Sequence, residues 1–432
     1  MPVPARAAFR RGTALSRRLL HIYWILAALT LVAVVAVIAF GGRPDPSGPA
    51  WVLDGSWRFH PGDDPRWADP HLDDRGWEQI KLVSLESNRD TDVGLPGWLV
   101  GWRARGHPDL TGYGWYRRQV ALPASGDLML LGPTMVDDGY EMFWDGKRVG
   151  GVGTLGEGKK VTGVHPFVVK VPRTGNGRIA SLAIRTFLQP WPGRDAQSGG
   201  LRSVPTLAVS PFGANYYRAQ WWRTIAGYVV EVAIPAMMVL LAAIGLATAR
   251  ATGRPSFVRW LAVALVTTGL LRLGNAVFAW TGWMDATVID RQNTLLLSPL
   301  AMLAWTAAWN EWADGRERRA VLVVALVAWA ARVIGATVHA DGPIFAARLV
   351  FIALFAAIAV RIGMRGERRW LALATMAVIA TGLFVNELRK LGIPDIWFPF
   401  NIGVTLTQYA YGLALPLLAA LLAAPRKAVL KA

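Results

Sequence analysis

Apolar residues form long unbroken runs in the second half of the chain and short alternating pieces before it. From Thr224 to Ala424 there are about seven runs, at roughly 224–248, 258–280, 294–312, 320–338, 343–362, 370–388 and 402–424, each near the ~20 residues that carry a helix across a bilayer. Polar turns part them, among them Thr252-Gly253-Arg254-Pro255, Asp314-Gly315-Arg316, Asp341-Gly342-Pro343 and Arg365-Gly366-Glu367. A soluble helical core would show polar stripes at helical spacing, and most of these runs show none. Inside lipid every backbone polar group must be satisfied within its own segment, so the pattern predicts an all-α seven-helix transmembrane bundle over 222–424, with a tail at 425–432.

Alternate turns of that bundle are basic. Arg250, Arg254 and Arg259 share one side with Arg316, Arg318 and Arg319, with Arg361, Arg365, Arg368 and Arg369, and with Arg426, Lys427 and Lys431. The other side carries only Arg291, Arg389 and Lys390. The positive-inside bias therefore predicts a cytoplasmic C-terminus and a bundle that begins outside. Tryptophans fit two interfacial belts, Trp221, Trp222, Trp280, Trp283 and Trp397 outside and Trp260, Trp309, Trp312 and Trp370 inside.

Residues 1–18 form a basic cytoplasmic tail with Arg6, Arg10, Arg11, Arg17 and Arg18, and 19–40 is apolar. This run reads as a signal anchor or as a signal peptide cut near Ala39, and its length favours the anchor. Either way it exports the next segment. Residues 41–218 alternate in short pieces bounded by turn residues, with strands expected at Ser56–Phe59, Trp115–Leu122, Leu128–Leu131, Tyr140–Trp144, Phe167–Val171, Ser181–Thr186 and Thr206–Val209. Asp145-Gly146 marks a tight hairpin, because that turn needs positive φ. Several short strands so close together point to an all-β sandwich.

Charge changes the picture little. The chain of 432 residues carries +17, yet 43–222 holds 21 Lys/Arg against 19 Asp/Glu. The excess lies in the N-terminal tail and the cytoplasmic turns, where it sets topology and meets anionic membrane lipid, so no nucleic-acid partner is expected. There is no cysteine, and the six histidines lack metal-ligand spacing, so no metal and no cofactor is expected. Asp73/Asp74 and Asp137/Asp138 are candidate carboxylate pairs, but neighbours on a strand point to opposite faces, and no catalytic residue is assigned.

Trp51 to Phe59, then Asp73-Asp74-Arg75-Gly76-Trp77, Gly114-Trp115-Tyr116-Arg117-Arg118, Val136 to Gly150, Leu182-Ala183-Ile184-Arg185 and Gly199-Gly200-Leu201 follow one another in an order that resembles the galactose-binding-like jelly roll of family 2 glycoside hydrolases, their sugar-binding domain. A jelly roll followed by seven helices resembles the bacterial seven-transmembrane receptors with diverse intracellular signalling modules. The resemblance implies a receptor in the bacterial inner membrane with a periplasmic sensor domain. Such receptors usually continue into a kinase, cyclase or phosphatase module. Here about eight residues follow the last run, so a separate cytoplasmic signalling protein, such as a kinase or cyclase, is the expected partner. The alternative is a non-signalling transport or envelope-assembly subunit that docks through its jelly roll; inverted repeats would favour transport, and none is seen.

Binding residues concentrate in loops. Trp98, Trp102 and Arg103 in the long 84–111 segment, and Gln189, Trp191, Arg194 and Asp195 in the next long loop, are the ligand candidates. Aromatic faces beside amide, guanidinium and carboxylate groups suit a carbohydrate-like or carboxylated small molecule. Trp57, Trp77, Trp115 and Trp144 read as core, and Arg117 as an ion-pair partner of Asp137 or Asp138. Within the bundle Glu231, Arg272, Asn275, Arg332, Arg348, Asn386, Glu387 and Gln408 fall toward the outer ends of their helices. Ionisable groups at that depth face the interior and pair, so they predict one polar cluster beneath the jelly roll that holds the bundle, couples the two halves or accepts an anion.

Overall fold

A computed structural model describes residues 3–40, 48–85, 87–90, 95–173, 178–190, 196–314, 317–365, 369–398 and 403–423. Helix α1 (Val3–Phe40) comes first. Ten strands follow: β1 (Ala50–Val52), β2 (Gly55–Pro61), β3 (Glu78–Leu82), β4 (Gly112–Ala121), β5 (Leu128–Leu131), β6 (Gly139–Trp144), β7 (Lys147–Val152), β8 (Val168–Val171), β9 (Ile179–Leu188) and β10 (Thr206–Val209). They pair antiparallel throughout, in a six-stranded sheet ordered β3-β2-β4-β9-β6-β7 and a four-stranded sheet ordered β1-β10-β5-β8.

Alternation decides the inner face. Tyr116, Ile184 and Met142 lie at matched register on β4, β9 and β6 and face Leu128, Leu130 and Leu207 of the smaller sheet. Trp57, Trp102 and Trp144 fill the same core. The neighbouring positions Trp115, Ala183 and Phe143 point to the opposite face, which is also covered. There the excursion from Gly62 to Trp77 folds back, and Arg117 is buried beneath it at 1% exposure. Its guanidinium donates to Asp74 Oδ2 (3.1 Å), Asp69 O (2.9 Å) and Trp67 O. The expected pairing of Arg117 with Asp137 or Asp138 is therefore corrected to Asp74: Arg117 lies under the Gly62–Trp77 excursion, while Asp137 pairs with Arg202 and Asp138 accepts from the Gln189 N–H. The Asp145-Gly146 hairpin forms as expected, with φ of 44° and 78°. Strands β1 and β3 have no counterpart in the alternation, and β7, the second arm of that hairpin, reads Lys-Arg-Val-Gly-Gly-Val with little alternation of its own.

The helical half contains α2 (Phe212–Tyr228), α3 (Val230–Thr252), α4 (Pro255–Trp280), α5 (Ala286–Arg291), a π turn (Gln292–Leu297), α6 (Ser298–Ala313), α7 (Arg318–Thr337), α8 (Asp341–Arg365), α9 (Arg369–Leu383), α10 (Val385–Lys390) and α11 (Leu406–Leu422). The expected runs overlap α2 with α3, then α4, the π turn with α6, α7, α8, α9 with α10, and α11. Among the described residues, five segments are long and apolar enough to cross a membrane: Arg18–Ala39, Phe212–Ala249, Pro255–Trp280, Arg318–Thr337 and Asp341–Met364. Arg369–Leu383 and Leu406–Leu422 are apolar but shorter.

Helix α6 is apolar on nearly every side and buried on nearly every side, so it forms the centre of the bundle. This moves Trp309 and Trp312 from the expected interfacial belt into the core, where Trp312 packs on Phe257 and under the Arg254 guanidinium. Trp283 and Trp370, by contrast, are exposed. The last run starts later than expected, because β11 (Ile396–Trp397) and β12 (Val404–Thr405) form a short hairpin before α11. Helix α1 lies along α3, with Leu20 and Tyr23 in the bundle core and Ile38 against Ala226.

Candidate functional site

The sandwich packs on α2 and is held at the end of α4 and the start of α5. The Val161 N–H donates to Asp285 Oδ2 (2.9 Å), and the Ala286 N–H returns to Val161 O (2.7 Å), so one strand of loop is clipped to the start of α5. Asp285 also caps that helix through the Thr287 N–H (2.8 Å) and hydroxyl (2.5 Å). Burial pushes the Asp285 carboxyl up, but the Thr287 donors and the Val161 and Val288 amides outweigh it and hold the group below its ordinary value. Lys160 Nζ donates to Gly282 O (2.7 Å) and Trp283 O (3.1 Å). Gly163 runs so close to α4 that a Cβ there would lie 2.5 Å from Phe278 O, a contact only glycine permits.

Beside this clip the two halves enclose a cleft of about 460 Å³. The sandwich contributes Asp90, Trp98, Thr134, Asp137, Gln197 and Arg202, and the helices contribute Thr224, Tyr228, Phe278 and Arg389. Arg202 is fixed from three directions. Its Nε donates to Leu99 O (2.8 Å), its Nη1 to Asp137 Oδ2 (2.9 Å), and its guanidinium lies 4.8 Å from the Trp98 ring centre. Asp137 in turn accepts from the Gly199 N–H (2.5 Å). Asp90 holds the neighbouring loop through the Leu95 N–H (2.6 Å). Arg389 enters from α10, paired with Asp395 (3.4 Å). An aromatic face, a positioned guanidinium and several carboxylate and amide groups around a concave space are the equipment for holding a small polar molecule.

No family model and no curated protein matches the chain. Solved structures do. A β-glucuronidase of Bacteroides uniformis matches at 20% identity with a TM-score of 0.28, over 37% of this chain and 17% of its own. A glycoside hydrolase family 2 member from Bacteroides cellulosilyticus matches at 19% with a TM-score of 0.28, over 37% and 20%. A family 2 β-galacturonidase from Eisenbergiella tayi matches at 15% with a TM-score of 0.25, over 37% and 24%. This chain thus spans less than a quarter of the length of these enzymes, and the matched part is the sandwich alone.

Of the ligand candidates among the described residues, the cleft collects Trp98. Trp102 is a core residue instead, at 2% exposure: its ring packs on Phe59 and against Gly114, Gly199 and Gly200, and its Nε1 donates to Leu110 O (3.1 Å). Arg103 lies on the short turn after it and donates to Pro108 O (2.5 Å), away from the cleft. Gln189 is buried and ties down another loop through Gly156 O and Lys159 O (both 3.2 Å). Trp191, Arg194 and Asp195 lie outside the described residues. Sequence reasoning missed Arg202, Asp137 and Tyr228 as cleft residues. Only the crossing of 98, 137 and 202 in space unites them; no spacing along the chain announces it.

The expected single polar cluster in the bundle is two. In the first, Glu231 of α3, 4% exposed, takes two hydrogen bonds from Arg272 of α4, one of them at 2.7 Å, and one from Gln408 Nε2 of α11 (2.6 Å). Gln408 is already committed at its other end, since its Oε1 accepts from the Thr405 N–H (2.7 Å) in a capping box. Thr405-Leu406-Thr407-Gln408 carries that signature openly. In the second, Arg348 of α8 donates twice to Glu387 of α10 and once to Leu383 O (3.4 Å), while Arg332 of α7 reaches Ser298 Oγ of α6 (2.9 Å). No hydrogen bond joins the two groups among the described residues. Asn275 is half-buried and bonds to neither, and Asn386 is exposed.

Proposed function

We propose that this is a membrane receptor that holds a small polar ligand, carbohydrate-like or carboxylated, in the cleft between sandwich and bundle. The observation that carries the reading is that one cleft is lined from both halves, by Trp98 and Arg202 on one side and Tyr228, Phe278 and Arg389 on the other. A ligand that touches both sides changes how they sit on each other, and so has a direct route into the helices. Three further points support it. The sandwich rests on the arginine-poor ends of the helices, the ends that the charge bias assigns to the outside. Among the described residues, five helical segments are apolar and long enough to span a membrane. The order of the sandwich motifs resembles a sugar-binding jelly roll. Helices α4 and α10, which border the cleft, would pass the change to a cytoplasmic signalling partner such as a kinase or cyclase.

The test is binding by the full chain in detergent. Monosaccharides with and without a carboxylate are titrated while tryptophan fluorescence and melting temperature are followed. A binding sugar should lose at least about tenfold in affinity when Trp98→Ala or Arg202→Ala is introduced, since each removes one aromatic or charged contact. Binding unchanged by both substitutions would place the ligand elsewhere and sink the assignment.

A further inference from the structure

Arg332 is 8% exposed, and among the described residues two of its three guanidinium nitrogens, Nε and Nη1, have no acceptor. Its single hydrogen bond goes to the neutral Ser298 hydroxyl. The nearest charges are Arg348 and Glu387, and that carboxylate is already taken on both oxygens by Arg348. Two guanidiniums therefore share one carboxylate, and the group keeps one uncompensated positive charge. In a helical bundle that is costly, and such residues pair with an anion. The surroundings fit an incoming one. Arg332 lies five residues before the end of α7 (Thr337), roughly 7–8 Å of helix rise from the outer surface. Helix α7 packs there against the π turn Gln292–Leu297, which directly precedes Ser298; turns widened in this way recur at functional sites.

We propose that Arg332 and Ser298 form a binding site for a small monovalent anion, of the size of chloride or formate, in the outer part of the bundle. Nε and Nη1 supply two charge-assisted donors, and the Ser298 hydroxyl, which accepts from Nη2, can donate its own hydrogen to the same anion. One negative charge neutralises the group, whereas a dianion would overshoot it. Water could satisfy the donors but would leave the charge. The site is separate from the cleft and stands whether or not the cleft binds a ligand.

The full chain in neutral detergent is melted in sodium gluconate while chloride or formate replaces it at constant ionic strength. The expected result is a saturable rise in melting temperature on the order of 2–4 °C, because an anion bound only by the folded state stabilises it. Arg332→Gln should abolish the rise, and Ser298→Ala should raise the half-saturating concentration about fivefold through the loss of one hydrogen bond. Arg202→Ala, in the cleft, should leave it unchanged. Equal melting in chloride, formate and gluconate overturns the proposal, as does a half-saturating concentration that Ser298→Ala does not move. A response to added phosphatidylglycerol with none to chloride or formate overturns it too, since the occupant would then be a lipid headgroup.

Discussion

At the scale of single residues, polar groups in this protein are placed by what they must satisfy. Glu231 is the clearest case: three donors from two other helices converge on one carboxylate. Removing one partner of a buried pair leaves the other charged and unpaired. Glu231→Ala should therefore cost about 3 kcal/mol or more, while Glu231→Leu combined with Arg272→Leu should recover most of that loss. Thermal or denaturant melts of the four proteins in a double-mutant cycle check it. A double variant no more stable than Glu231→Ala would show that the pair does more than neutralise itself. Tyr116 shows the same demand in the sandwich. Burial pushes its phenol well up, and its hydroxyl survives there by accepting from the Leu201 N–H (3.4 Å).

At the scale of elements, alternation and its failures explain most of the architecture. Strands β4, β6 and β9 alternate, and their two faces become two apolar layers, one between the sheets and one under the Gly62–Trp77 excursion. The long 84–111 segment is different, because it runs through both core and cleft. Trp98 faces the cleft, whereas Trp102, four residues on, plugs the core. That difference can be measured on the sandwich alone. Residues 43–215, with their own core and nearly balanced charge, should give a β-type circular dichroism spectrum and a cooperative melt. In that fragment Trp102→Ala should cost about 3–5 kcal/mol, the range for emptying a large core aromatic. Trp98→Ala, half-buried at the rim, should cost far less. Equal losses would mean that the two rings are equally structural.

At the scale of the whole molecule, the sandwich and the bundle meet where α2 packs on β5, β8 and β10 and where Asp285 holds Val161 and Lys160 holds the 282–283 carbonyls, with a cleft beside these contacts. In the proposed receptor the sandwich and the arginine-poor turns lie on one side of the membrane. Alkaline phosphatase fused after Ala50 or Asp341 should be active, and fused after Gly253 or Gly366 inactive; the reverse at any two of these points defeats the topology. The sequence by itself determined the division into a β half and a helical half, the place of each apolar run and most of the strands. Those features rest on local rules: a helix in an apolar setting needs an unbroken apolar run, and a strand between two layers needs alternation. Tertiary structure alone decided the partners. Glu231 meets Arg272 across 41 residues and Gln408 across 177; Arg202 meets Trp98 and Asp137 only because three loops cross at one end of the sandwich. The chain holds the groups able to pair, but which ones do is set by how elements pack: α3, α4 and α11 bring one polar group together, and α6, α7, α8 and α10 another.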